Sequence, residues 1–468
     1  MLAGQGKKKL GTLAGRRRRN LRILFTIWAA GTVALLVGGA FALSDFRSGE
    51  AAAAIAPAPA PVTATPQVAP VPADAPAPAG PALAAALAPA LGNAGLGNFT
   101  GSITDAATGT VLWSKDPARP MIPASTTKVL TAAAALLALP AEHRVTTKVV
   151  EGSRPGEIVL VAGGDPTLTA RPLGESGFYA GAPRIADLVQ QIQRSGAAVD
   201  TVLVDTGAYA GDSLATGWFP ADIAGGSVAP IEPVMLDGGR LNPLEDESPR
   251  TPTPALDAGR ALAAALGADP ARVAPGTVRP GAAPLAAVQS APLRDRLGQM
   301  MGYSDNVLAE AVGREIAAAE GVEPSFRGAV DSVAAALREA GFDLTGLTLH
   351  DVSGLSVDNR IPARLLDAVM AAAAGTEQAS LRPMLDYLPV AGATGTLSER
   401  YASTNRDGAG WVRAKTGTLS QASGLTGFVV DTDGRVLTFA LLSNDRSPGE
   451  SRPALDAVAA TLRGCGCR

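Results

Sequence analysis

The chain has 468 residues, 47% of them hydrophobic, long enough to bury a sizeable core and to form more than one domain. Aromatics are only 4%, so Ala, Leu and Val must do most of the packing. The first 43 residues hold eight basic residues and no acid; the rest has 32 Lys and Arg against 43 Asp and Glu, a formal charge of −11 that argues against nucleic acid as a partner.

Residues 1–22 read as a basic cytoplasmic tail, followed by 21 apolar or small residues, 23–43, long enough to cross a bilayer. The expectation is a single-pass anchor in the cell membrane. Ala40-Phe41-Ala42 also resembles a cleavage site, so a removed signal segment and a secreted protein is the competing reading. Either way the remainder is exported. Residues 44–91 are predicted as an extended Ala/Pro-rich linker, with ten prolines between Pro57 and Pro89. At roughly 3 Å per residue it would reach on the order of 100 Å.

Asn98–Asp105 and Thr110–Ser114 alternate like a hairpin, and a helix is expected from Ser125 into the apolar run Val129–Leu139. Strands are predicted at 144–150, 157–161 and 199–205, with a turn at Gly163-Gly164-Asp165-Pro166 and helices at 183–194 and 255–266. Residues 206–253 show no clear period. Three helical stretches follow, 306–319, 326–340 and 363–374, then strands at 411–418, 424–430 and 435–442 and a closing helix at 453–463. Strands at both ends around a helical middle imply an α+β fold whose main sheet draws on both ends of the domain. The expected division is a catalytic domain from 92–145 and 291–468, with 146–290 inserted.

Three short motifs carry the chemistry. Ser125 and Lys128 lie three apart at a helix start, close enough for an amine to take a hydroxyl proton. Ser304-Asp305-Asn306 precedes a helix, and Lys415-Thr416-Gly417-Thr418 lies on a strand. Each alone is common on solvated helices, caps and strand edges; together, in this order, they form the S-x-x-K, S-D-N and K-T-G set. Lysine usage adds weight. Beyond residue 43 there are four lysines, Lys115, Lys128, Lys148 and Lys415, and two of them fall in the motifs. Only a lysine, not an arginine, can shed its proton under burial and serve as a base.

On these motifs the chain resembles the class C low-molecular-mass penicillin-binding proteins, the D-alanyl-D-alanine carboxypeptidase/endopeptidase family. Further resemblance lies in Leu160–Leu168, Asp351–Ser356 with Asn359-Arg360, and Gly395-Thr396-Leu397, and it covers roughly residues 95–463. It implies the penicillin-recognising serine transferase/hydrolase fold, an antiparallel sheet flanked by helices. It further implies a peptidoglycan stem peptide as substrate, β-lactams as inhibitors and no cofactor. Ser125 would be the nucleophile, and Lys128, kept neutral by the Lys415 cation and by partial burial, its base. Asn306 would orient Lys128, and Ser304 would pass a proton to the leaving D-alanine. Lys415, Thr416, Gly417 and Thr418 would receive the terminal carboxylate, and the Ser125 and Thr418 N–H groups would form the oxyanion hole. One departure stands out: only 179 residues separate Ser125 from Ser304, fewer than two complete inserted domains would need.

The rivals are weaker. A Ser/His/Asp hydrolase lacks the G-x-S-x-G elbow, and His143 and His350 read as structural. A class A β-lactamase would need Glu at 238 before Leu241-Asn242, where Gly238 stands. A non-catalytic wall-binding relative would be expected to have lost at least one of these polar residues. Two histidines and no Cys/His cluster leave a usual zinc site without ligands. The terminal Cys465-Gly466-Cys467 is expected to be an exposed, silent tail.

Overall fold

In the computed structural model residues 74–466 are described; they belong to one unit, Pro70–Arg468. The basic tail, the apolar segment 23–43 and most of the linker lie outside the described residues. Among those described, no helix is long and apolar enough to cross a membrane.

Among the described residues the α-helices longer than two turns are α1 Gly80–Leu91, α2 Lys128–Ala138, α3 Ile185–Ser195, α4 Pro254–Leu266, α5 Leu293–Tyr303, α6 Asn306–Ala319, α7 Phe326–Glu339, α8 Ala363–Ala374 and α9 Pro448–Arg463. The strands of the main sheet are β1 Asn98–Asp105, β2 Thr110–Lys115, β12 Arg413–Leu419, β13 Ala422–Val430 and β14 Val436–Asn444. They run antiparallel in the order β12-β13-β14-β1-β2, so the first and last strands of the described chain are central neighbours. The run Val436–Leu442 is nearly continuously apolar because both faces of β14 are covered. Phe439 and Leu441 pack with Leu83 and Leu455 of α1 and α9, while Ala440 and Leu442 face the core shared by α2 and α5–α8.

A second sheet, β10-β4-β5-β7-β9, lies between α2 and α5 in sequence. Its strands are β4 Thr146–Glu151, β5 Glu157–Val161, β7 Thr201–Asp205, β9 Ala274–Pro275 and β10 Pro284–Gln289, with α3 and α4 on its own core of Val149, Leu160, Leu188, Val204 and Leu262. Short pairs β3 Pro120–Met121 with β11 Ile361–Pro362, and β6 Asp165–Leu168 with β8 Val234–Leu236, complete the strands.

Several sequence expectations change. Residues 80–91, assigned to the extended linker, form α1: Pro81 sits in its first turn, alanine favours the helix, and Leu83 and Leu87, one turn apart, are both fully buried. The expected turn at Asp165-Pro166 is strand β6, drawn in by its parallel partner β8. Helix α5 and strand β10 have no counterpart in the reading of the sequence. Cys465 is buried against the sheet and disulfide-bonded rather than exposed; Cys467 lies outside the described residues.

Truncating Leu87 to alanine should lower the unfolding free energy by about 2–5 kcal/mol, read from the urea midpoint. A change below about 0.5 kcal/mol would mean that α1 contributes nothing to the core.

Candidate active site

The helix expected from Ser125 begins as a 3₁₀ turn, Ala124–Thr127, and becomes α-helical at Lys128. In such a turn side chains three residues apart eclipse, which stacks Ser125 and Lys128 directly. Ala124 just ahead holds φ +49°, a left-handed conformation costing about 1–2 kcal/mol for a residue with a side chain. Two glycines press on this turn. A Cβ on Gly354, itself at φ +85°, would sit 2.0 Å from the Ala124 carbonyl oxygen. One on Gly417 would sit 2.6 Å from that of Pro123 and 3.1 Å from the Thr126 nitrogen. Gly417 therefore lets β12 close against the backbone that carries Ser125.

Lys128 is fully buried, and its amine has three oxygen neighbours. Nζ is 3.1 Å from Ser125 Oγ, 2.6 Å from Asn306 Oδ1 and 2.7 Å from the Ser353 carbonyl oxygen. A neutral amine that donates its two hydrogens to Asn306 and Ser353 turns its lone pair to the Ser125 hydroxyl. Burial lowers the Lys128 pKa to about 8, against the opposing pull of Asp351, Asp305 and Glu310. Lys415, also fully buried, is held well below the usual lysine range, by burial first and then by the Lys128 charge. This corrects the sequence reading: burial, complete rather than partial, lowers Lys128, the three acids that oppose it were not foreseen, and Lys415, expected to hold it neutral as a cation, is itself held well below the usual lysine range.

Ser304 ends α5 in the left-handed region, φ 62° and ψ 31°, and Lys415 Nζ donates to its Oγ at 2.8 Å. The strain at Ser304 and at Ala124, the residue before Ser125, falls where the chain aims the two serine hydroxyls into the site. Asp305 caps α6 by accepting from Leu308 N at 2.9 Å, which makes Asn306 the first helical residue. Its other oxygen accepts from Tyr179 Oη at 2.7 Å and Arg240 Nη2 at 3.0 Å. Burial pushes the Asp305 carboxyl up, but Arg240 and Arg250 outweigh it and hold it at about 2. Asn306 Nδ2 donates to the Ser227 carbonyl at 2.9 Å, so segments from 179 to 250 grip this loop from the far side.

β12 is an edge strand. Ala414 N donates to the Pro389 carbonyl, off the sheet, so by the alternation of an antiparallel ladder Thr416 and Thr418 also turn their N–H groups to the free edge. Thr416 Oγ1 lies 2.7 Å from Thr396 Oγ1, and Thr418 Oγ1 accepts from Arg452 Nε at 3.2 Å. Ser125, Ser304, Asn306, Thr416 and Thr418 line one open cleft of about 490 Å³, whose wall also includes Arg240 and Arg452. Lys128, Lys415 and Gly417 lie behind that wall.

Reading the sequence missed Ser353, Glu310, Tyr179 and Arg240 as parts of this site. Ser353 lay within a stretch already marked by resemblance. Glu310 gave a faint signal, an acid one turn after Asn306 in the otherwise apolar run 307–313; Tyr179 and Arg240 gave none, because only tertiary contact joins them to Asp305. His143 is engaged with Glu315 at 3.3 Å, and His350 donates its backbone N–H to Asn359. Among the described residues no cluster of His, Cys, Asp and Glu could hold a metal ion.

Known proteins resemble this chain over most of its length. The sequence is 53% identical over 389 residues to a carboxypeptidase of Mycobacterium tuberculosis, covering 82% of this chain and 84% of the relative. It is 55% identical over 390 residues to the carboxypeptidase DacB of Mycolicibacterium smegmatis, with the same shares covered. Penicillin binding protein 4 of Haemophilus influenzae shares the fold at a TM-score of 0.64 and 22% identity, over 78% of this chain and 95% of that one. The sequence profile of the D-Ala-D-Ala carboxypeptidase 3 (S13) family matches residues 83–251 and 242–463, and the chain belongs to that family.

Proposed function

We propose that this protein is a serine-type D-alanyl-D-alanine carboxypeptidase/endopeptidase acting on peptidoglycan stem peptides through an acyl-enzyme at Ser125. The observation that carries it is the Lys128 amine, buried in its three-oxygen cradle 3.1 Å from Ser125 Oγ. Neutral Lys128 takes the Ser125 proton as Oγ attacks the carbonyl between the two D-alanines. The N–H groups of Ser125 and Thr418 receive the oxyanion, a contribution of about 100- to 1000-fold per donor. Asn306 holds Lys128 with its oxygen and, with one Nδ2 hydrogen on the Ser227 carbonyl, offers the other to the substrate backbone.

Lys415, Thr416 and Thr418 take the terminal carboxylate, and Gly417 lets that strand lie close. The bound carboxylate restores the charge of Lys415. Ser304, which accepts from Lys415, relays a proton to the departing D-alanine nitrogen. Water then releases the acyl group. A β-lactam, which mimics the D-alanyl-D-alanine end, acylates the same oxygen and leaves slowly. Residues 23–43 anchor the enzyme in the cell membrane with the catalytic part outside, and cleavage there would release it.

The direct test is release of free D-alanine from a pentapeptide stem. Ser125→Ala should abolish it together with labelling by fluorescent penicillin; a variant that still labels would remove Ser125 from the mechanism.

The pH dependence follows from Lys128. Its pKa is lowered to about 8, so the neutral base exists above that pH and is lost below it. The second-order rate of penicillin acylation should fall by about tenfold per pH unit below about pH 8 and level off above. A flat profile between pH 6 and 9 would contradict Lys128 as the base.

Gly417→Ala should cost on the order of 100-fold in acylation through displacement of the Ser125 turn, with the melting temperature nearly kept. Unchanged acylation would show that the close approach of β12 is not required.

A further inference from the structure

Glu310 lies one turn beyond Asn306 on α6, fully buried, with no place in the reaction described above. Its Oε1 accepts from two consecutive backbone N–H groups, Val352 at 3.0 Å and Ser353 at 2.8 Å. The carbonyl of Ser353 is the acceptor for the Lys128 amine at 2.7 Å. Helix α6 thus reaches Lys128 twice: directly through Asn306, and through Glu310 by way of the Ser353 peptide. Thr131 Oγ1 on α2 donates to the Val352 carbonyl, so the same short segment is pinned from both helices.

Glu310 has only a partial counter-ion. Arg314 Nη1 is 3.4 Å from its Oε2, and the Arg314 guanidinium is shared with the Phe326 ring at 4.1 Å. On the segment facing it, Asp351 adds a second negative charge, itself tied to Trp218 Nε1, Asn359 Nδ2 and the N–H groups of Gly354 and Ser356. Around Lys128 stand the carboxyl groups of Asp351, Asp305 and Glu310, which favour its ammonium, and the amine of Lys415, itself held well below the usual lysine range. Burial and the Asp351 charge push the Glu310 carboxyl up to about 7, with Arg314 pulling the other way. A buried carboxylate is costly unless paired and hydrogen-bonded, and here the pairing to Arg314 is long while the two N–H bonds tie its charge to the Ser353 peptide.

We propose that Glu310 is a positioning residue for acylation, one that fixes the Ser353 carbonyl on the Lys128 amine and whose buried negative charge stabilises the ammonium formed when Lys128 takes the Ser125 proton. This rests on the role given above to Lys128. The carboxylate does not touch the substrate; it acts through one peptide group and through space. Asn306 and Ser353 set where the amine points, and the charge of Glu310 helps to set how strong a base it is. Without that charge Lys128 would lose its proton at lower pH and be a weaker acceptor.

Two full-length variants separate charge from reach, each assayed as the second-order rate of fluorescent-penicillin acylation from pH 6 to 9.5. Glu310→Gln keeps an acceptor oxygen and removes the charge. The midpoint of its acid limb should move down by roughly 0.5–1 pH unit, because losing a nearby anion disfavours the ammonium, and its plateau should fall several-fold. Glu310→Asp keeps the charge but is one methylene short of residues 352 and 353; its midpoint should stay at the wild-type value while the plateau falls about tenfold or more.

An unmoved midpoint in Glu310→Gln overturns the proposal whatever the plateau does, since a purely structural residue would lower the rate without shifting the pH dependence. If Glu310→Gln does not fold, an undiminished plateau in Glu310→Asp overturns it instead. Wild-type protein that failed to acylate would instead strike down the function proposed above.

Discussion

A primary amine fully buried among oxygen acceptors is the constraint around which this molecule is built. Lysine resists burial because its ammonium loses hydration, and the cost appears here as a pKa drawn down to about 8. What surrounds Lys128 either supplies an acceptor, as Ser125, Asn306 and Ser353 do, or adjusts its charge, as Asp351, Asp305 and Glu310 do. The long-range folding serves this. Asn306 is 178 residues from Lys128 and Ser353 is 225 away, so the cradle forms only when α2, α6 and the segment before β11 are packed together.

The main sheet places the other half of the site. Its outer strand β12 must lie against the Ser125 turn, and glycine at 417 and 424 removes the side chains that would block it: a Cβ on Gly424 would come within 2.8 Å of Thr126 Cγ2. The same edge leaves alternate N–H groups free for an incoming peptide, which binds much as an added strand would. From the opposite wall Tyr179 and Arg240 hold Asp305, and Ser227 accepts from Asn306. Segments remote from the chemistry thereby set the angle of the Ser304–Asn306 loop.

Much of this was legible in the sequence, for identifiable reasons. Lys415 and Lys128 stood out because lysine is otherwise nearly absent from that part of the chain, while the α+β order of elements followed from plain periodicity in stretches such as 306–319 and 363–374. What escaped was set by tertiary contact. Helix α1 looked like linker because Ala/Pro composition hides two leucines one turn apart; α5 was missed because its polar residues, Arg294, Asp295 and Gln299, obscure Leu293, Leu297, Met300 and Met301. Glu310 carries no motif of its own, and Arg240 sits in a region without period, so their partners could be known only from the fold.

The central claim is that Lys128 sheds its proton near pH 8 and is the uncharged base above it, and this can be measured without reference to turnover. With ¹³C-labelled lysine the Lys128 Cε resonance, assigned by its loss in Lys128→Met, can be titrated directly. The account predicts a midpoint near pH 8. A Lys128 resonance that stays in its protonated position up to pH 10 or above would contradict it.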